Sequence, residues 1–233
     1  MSPSDLLRIL ITTARAVLPI LAPLCLLNSP LLLLLLVPDT HIYLYTLLYI
    51  CNIFPILWGA SFFFSYRYLG HQSVSLRAAF DRSIRRANRL IISMLTLMLL
   101  CAPFGFFFLS LSSSRPFWIL LFAGIFLLSK SVFCLAKIVL DDTSAVFTGV
   151  NASWDFVGQR WLFVFIALLV EFLVLFLFGG YVVDSLAGFL ELLGSRGFAQ
   201  IIAALLSIAF PAIDAIYWAN VHLALEGRLS SRL

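Results

Sequence analysis

Three ionisable side chains lie inside otherwise apolar stretches of this sequence: Lys130, Glu171 and Asp214. A charge in hydrocarbon is costly, so such residues usually face a protein interior, where they pair or line a path for protons or substrate. Lys130 and Asp214 lie at similar depths, about 20 Å below the outer boundary at 1.5 Å per residue. We therefore expect these two to form an ion pair, with Glu171 as the weaker candidate. A structural pair that fixes helix packing is the interpretation we adopt, and a transport path is the alternative.

A second group of charges opens the segment "VSLRAAFDRSIRRANRLIISMLTLMLL" at residues 74–100. At helical spacing, Leu76, Phe80 and Ile84 share one arc, and the opposite arc is basic. This pattern predicts an amphipathic surface helix over about 73–90, with Ser73 or Ser75 capping its first turn. Basic side chains are attracted to an anionic leaflet. We predict anionic-lipid contacts for Arg82, Arg85, Arg86 and Arg89, and a charged loop that only fixes topology is the alternative.

The remaining polar residues do not form a recognisable reaction centre. His41, His71 and His222 are far apart and have no partner at metal-ligand spacing. The adjacent residues Asp141 and Asp142 are predicted to cap the start of a helix, where negative charge is favourable. The alternative is that their carboxylates bind magnesium or act in catalysis. The sequence contains no glycine-rich phosphate loop and no nucleophile motif. We therefore predict no catalytic, cofactor-binding or metal-binding residues, and no enzyme activity.

Composition places the chain in a membrane. Of its 233 residues, 63% are hydrophobic and 11% are charged, and such residues cannot cover a water-soluble surface. The net charge of +4 fits basic cytoplasmic loops, so we predict no nucleic-acid partner. The predicted fold class is all-α, a polytopic integral membrane protein, with residues 1–233 forming a single transmembrane domain.

Runs of about twenty apolar residues predict six transmembrane helices. The predicted spans are 17–37, 42–64, 91–111, 117–137, 161–183 and 199–222. In the first, Pro19, Pro23 and Pro30 should bend or break the helix, and a re-entrant segment is the alternative there. A second amphipathic cytoplasmic-surface helix is predicted at about 143–160, before the fifth span. Both surface helices precede a pair of spans on the same side of the membrane.

The distribution of lysine and arginine predicts the orientation. With the N-terminus inside, twelve of these residues fall on the inner side and two, Arg115 and Arg196, on the outer side. Positive charge collects on the cytoplasmic side. We therefore expect both termini to be cytoplasmic.

Two stretches carry a family resemblance: "YLGHQSVSLRAAFDRSIRR" and "AKIVLDDTSAVFTGVNASWDFVGQRWLFVF". They resemble the membrane domain of the glycerophosphoryl diester phosphodiesterase family and its uncharacterised bacterial six-span relatives, over about residues 60–225. The resemblance implies a bacterial inner (cytoplasmic) membrane location. These residues do not include the soluble phosphodiesterase barrel of some relatives, so the resemblance implies no phosphodiesterase chemistry.

The sequence thus favours a non-catalytic integral membrane protein. We expect it to act in membrane or lipid organisation, or as an accessory subunit of a membrane complex. Its partners would be membrane lipids, above all anionic phospholipid, and another membrane protein. The alternative is a small transporter or channel that uses Lys130, Glu171 and Asp214.

Overall fold

The structure is a computed structural model. It describes residues 3–36, 42–110, 115–141, 146–174, the single positions 185 and 188, and 196–228. Within these residues all regular structure is helical, so the predicted all-α class is confirmed. The helices are α1 (Pro3–Asn28), α2 (Ile42–Leu48), α3 (Phe54–Leu69), α4 (Leu76–Ile84), α5 (Ala87–Ser110), α6 (Arg115–Ser131), α7 (Cys134–Leu140), α8 (Val146–Val157), α9 (Trp161–Glu171) and α10 (Arg196–Leu225).

Several helical stretches are long and apolar enough to cross a membrane, as the sequence predicts. In the described residues there are five: Ser4–Leu32, Tyr45–Leu69, Ala123–Leu140, Gly149–Val174 and Ile208–Leu225. The third predicted span coincides with α5, whose described apolar part, Ala87–Leu99, is shorter. Residues 175–183 of the fifth predicted span lie outside the described residues.

The first apolar helix begins earlier than predicted, at Pro3 instead of residue 17. Its buried positions recur every three or four residues and form one face: Ile9, Thr13, Ala16, Ile20, Leu24 and Asn28. This face packs along α10. The helix continues through Pro19 and Pro23 and ends at Asn28, before Pro30, where a 3-10 turn (Ser29–Leu36) takes over. Pro19 and Pro23 therefore do not break the helix, and the α-helical geometry ends two residues before Pro30.

The second predicted surface helix, 143–160, corresponds to α8 (Val146–Val157), and its position on the membrane surface stays a prediction. A 3-10 turn (Gly158–Arg160) joins α8 directly to α9, and residues 149–174 form one apolar stretch. The inner side of α8 packs on α6 and α7. There, the Ser153 hydroxyl donates to the Lys130 carbonyl oxygen at 2.6 Å, and the Trp154 indole donates to Ser131 Oγ at 3.0 Å.

The packing core contains α1, α3, α7 and α10. Among the described residues, His222 of α10 is a large polar side chain with no exposed surface. Aromatic rings surround this imidazole: Phe156 stacks on it with centroids 4.3 Å apart, and Phe133 and Tyr66 meet it edge-on at 5.3 Å. The aromatic cluster joins α3, α8 and α10 to Phe133, the residue that precedes α7.

Candidate functional site

Small residues allow both α4 and α7 to pack closely against α3. The side chains of Ala79 and Ser83 in α4 are fully buried. Opposite them lies Gly59, where a Cβ atom would stand 2.9 Å from Val139 Cγ2 and 3.2 Å from Ser83 Oγ. At the start of α4, Ser75 accepts a hydrogen bond from the Ala78 amide at 3.1 Å, so it is the predicted N-cap that forms.

Two arginines of this region bind the C-terminal end of α7. Arg86, only 9% exposed, donates through Nη1 to the carbonyl oxygens of Ile138, Val139 and Asp141 at 2.6, 2.7 and 2.8 Å. Arg82 donates through Nε to Val139 and through Nη2 to Leu140, both at 2.7 Å. The last carbonyls of a helix lack intrahelical donors, and a cation there also complements the helix dipole. These two side chains therefore turn into the protein, whereas we expected all four arginines to face the leaflet.

Phe63 of α3 carries two more contacts with guanidinium groups. The Arg67 Cζ atom lies 5.2 Å from the centroid of its ring, and the Arg82 Cζ atom lies 4.9 Å from it. Arg67 also donates to the Gln72 amide oxygen, while its buried Nε atom has no hydrogen-bond acceptor. One aromatic ring thus brings together cations from α3 and α4.

These side chains line one cavity of about 620 Å³. Its lining includes Phe63, Ser73 and five arginines: Arg67, Arg82, Arg85, Arg86 and Arg89. None of the described residues that line it is acidic. The sequence pattern singled out four of these arginines but not Arg67. Arg67 lies one helical turn after Phe63 in α3. If the predicted second span, 42–64, had been extended to the observed end of α3 at Leu69, Arg67 would have been grouped with the other arginines.

Three of these cations donate to backbone or amide oxygens. Arg82 and Arg86 bind backbone carbonyls, and Arg67 binds the side-chain amide of Gln72. These bonds fix the guanidinium groups in place. A cavity lined by several fixed guanidinium groups is suited to an anion.

The three intramembrane charges are arranged differently from the prediction. Lys130 donates to the Gly158 carbonyl oxygen and lies 5.8 Å from the Phe126 ring centroid. Asp214 accepts a hydrogen bond from the Trp58 indole. The expected Lys130–Asp214 ion pair is wrong, because the flexible lysine reaches the nearby carbonyl of the turn between α8 and α9.

Instead, Glu171 and Asp214 lie near each other. The Trp218 indole donates to Glu171 Oε1 at 2.9 Å. Glu171 also borders an apolar cavity of about 270 Å³ between α1, α9 and α10.

Within the described residues, no three histidine, cysteine, aspartate or glutamate side chains are grouped to hold a metal ion. The sequence matches none of the protein-family models, curated proteins or solved structures with which it was compared. The arginine-lined cavity and the carboxyl pair are therefore the features on which a functional hypothesis can rest.

Proposed function

We propose that this chain is an integral membrane protein that binds anionic phospholipid headgroups in its arginine-lined cavity. The proposal places the cavity at the cytoplasmic leaflet of a bacterial inner membrane, with six spans and both termini inside. In this role the protein organises lipid, alone or as an accessory subunit of a membrane complex. It catalyses no reaction of its own.

The observation that carries the proposal is the convergence of five arginines on one cavity whose described lining contains no acid. Guanidinium groups bind phosphate oxygens through parallel hydrogen bonds, and they suit this task better than lysine. The apolar helices on either side keep the site near lipid. Basic residues close to an anionic leaflet each contribute about 1 kcal/mol of attraction.

The test compares two exposed arginines of the same helical segment. Arg85 lines the cavity, whereas Arg77 does not and forms only an exposed 3.9 Å ion pair with Asp81. We expect lipid extracted with purified Arg85→Gln protein to contain less phosphatidylglycerol and cardiolipin than lipid from the wild type. Arg77→Gln should match the wild type. Equal anionic-lipid content in all three proteins would contradict the proposal.

The orientation is tested separately by cysteine labelling in intact cells. A cysteine at position 85 or 228 should react only with reagents that reach the cytoplasm, and a cysteine at position 196 only with reagents outside. Exposure of position 85 to the outside would place the cavity in the other leaflet and contradict this part of the proposal.

The proximity of the Glu171 and Asp214 carboxyl groups favours one second candidate, a small proton-coupled transporter or channel. Glu171 and Asp214 would carry the proton, while Lys130, bound to the Gly158 carbonyl, would be structural. Liposomes containing the protein and a pH-sensitive dye should then show proton flux under a potassium gradient with valinomycin. Asp214→Asn should abolish that flux, and Lys130→Met should keep it. Wild-type liposomes as proton-tight as empty ones would exclude this candidate.

A further inference from the structure

A thiol and a thioether from distant parts of the chain meet inside the helical bundle. The Cys51 Sγ atom lies 3.8 Å from the Sδ atom of Met98, which is 47 positions further along the chain, in α5. Both side chains are half-buried. Neither residue lines the arginine-lined cavity. The two sulfur atoms are therefore separate from the site that carries the proposed function.

The backbone around Cys51 departs from α-helical geometry. Residues Tyr49–Ile53 form a π-helical turn between α2 and α3, in which the Phe54 amide donates to the Tyr49 carbonyl oxygen. Single π-helical turns are rare, and they are frequent at functional sites. The turn is thus a second observation, independent of the sulfur contact, that favours a functional role for the position of Cys51.

A second thioether lies one helical turn from the first. Met94 precedes Met98 by four residues in α5, so the two methionines share one face of this helix. They are two of the three methionines in the chain, and the third is Met1. A methionine side chain is unbranched and has three rotatable bonds, so the Met94 sulfur can approach the other two without movement of the backbone. One thiol and two thioethers are thus available at one place.

Sulfur ligands of these two kinds select soft cations. Thiolate and thioether groups bind ions such as Cu(I), whereas carboxylates and carbonyls suit magnesium and calcium. Metal–sulfur bonds are about 2.3 Å long, so two sulfur ligands at tetrahedral or trigonal angles are about 3.8 to 4.0 Å apart. The 3.8 Å between Cys51 Sγ and Met98 Sδ matches this separation. These two ligands therefore need little rearrangement to bind one ion.

The balance of charge favours a monovalent ion. Cys51 lies within the apolar stretch Tyr45–Leu69. Met98 lies within the apolar stretch Ala87–Leu99. A net charge in such surroundings is costly. A cysteine thiol gives up its proton when it binds a metal, so one thiolate and neutral thioethers form an uncharged complex with Cu(I). Zn²⁺ would leave one positive charge among apolar helices.

We propose that Cys51, Met98 and Met94 form a binding site for Cu(I), with the thiolate of Cys51 as the charged ligand. The site goes beyond the proposed lipid binding and does not depend on it, because the two share no residue. It departs from the sequence-based prediction of no metal-binding residue, since Cys51 and Met98 are 47 positions apart and only the fold brings them together.

The experiment measures Cu(I) binding by the purified full chain in mild detergent without oxygen. Bicinchoninate buffers the free Cu(I), and bound copper is measured by elemental analysis. We expect one Cu(I) per chain and an ultraviolet thiolate-to-copper charge-transfer band. Cys51→Ser and Met98→Leu should each weaken binding by at least about tenfold, since loss of even an outer-shell partner has an effect of that size. Cys25→Ser is the matched control, because Cys25 of α1 is also a half-buried thiol.

Met98→Leu conserves side-chain volume, so its melting temperature without copper should equal that of the wild type and show that the fold is kept. Wild-type copper binding by the folded Met98→Leu or Cys51→Ser protein overturns the site. An equal loss in the Cys25→Ser protein indicates binding by thiols in general and also overturns it. Met94→Leu should weaken binding too, and wild-type affinity in this variant overturns the third ligand. Displacement of Cu(I) by an equal concentration of Zn²⁺ overturns the selection of a monovalent ion.

Discussion

Replacing Arg86 by methionine should destabilise the protein through the C-terminal end of α7. Methionine retains most of the apolar stem of arginine and removes the guanidinium group. In the native chain this group donates to the carbonyl oxygens of Ile138, Val139 and Asp141. Those of Ile138 and Val139 belong to the last turn of α7, where no intrahelical donor is available. Their loss of a partner is the physical cause of the expected effect.

The size of the effect follows from counting hydrogens. All three acceptors contact the single Nη1 atom, which carries two hydrogens, so at most two strong bonds are present. Arg82 still donates to Val139 in the variant. With about 1.5 to 3 kcal/mol for each bond to a charged group, we expect a loss of about 3 kcal/mol. For a chain of this length, that corresponds to roughly 6 to 12 °C in melting temperature.

The assay is thermal unfolding in one detergent, followed by tryptophan fluorescence. Arg85→Met is the matched control, because Arg85 is exposed and precedes Arg86 directly. Arg86→Lys should be intermediate, since an ammonium keeps the charge but reaches fewer carbonyls. Hydrogen exchange should also accelerate in peptides covering 134–141. An Arg86→Met protein that melts with the control, and exchanges like the wild type at α7, would refute the role assigned to this side chain.

Two further predictions concern packing and the intramembrane charges. Gly149→Ala should lower the free energy of unfolding by about 1 to 3 kcal/mol, because the new Cβ atom would lie 2.8 Å from Ile138 Cγ1. A melting temperature equal to that of the wild type would instead show that α7 and α8 can move apart without cost. Asp214→Asn should leave thermal stability nearly unchanged, because the amide keeps an oxygen that can accept the hydrogen bond from the Trp58 indole. Lys130→Met should lower the free energy of unfolding by about 1 kcal/mol through the lost bond to Gly158. The effects of the two substitutions should add in the Lys130→Met, Asp214→Asn double variant. A double variant that is more stable than this sum would indicate that Lys130 and Asp214 form an ion pair after all.

Apolar run length predicted the fold class and the approximate place of the helices, because a membrane leaves few alternatives to a helix of about twenty residues. It did not predict that α8 and α9 form one apolar stretch, since a polar face on α8 is compatible with packing against α6 and α7. The predicted ion pair between Lys130 and Asp214 was wrong for a related reason. Depth along a span says nothing about which neighbour faces a residue, and Lys130 faces the turn at Gly158 instead of α10.

The arginine cluster shows how one pattern along a helix serves two purposes. Arg82 and Arg86 are four residues apart and turn toward the carbonyl end of α7, whereas Arg85 is exposed on another side. Periodicity assigned all four cluster arginines to one polar arc, because it cannot distinguish a polar face turned to water from one turned to the polar end of another helix. Whether a basic face meets water or the end of another helix decides which groups its arginines can bind. Guanidinium groups held by backbone carbonyls lose conformational freedom, and this fixed placement is what supports the proposed anion-binding role.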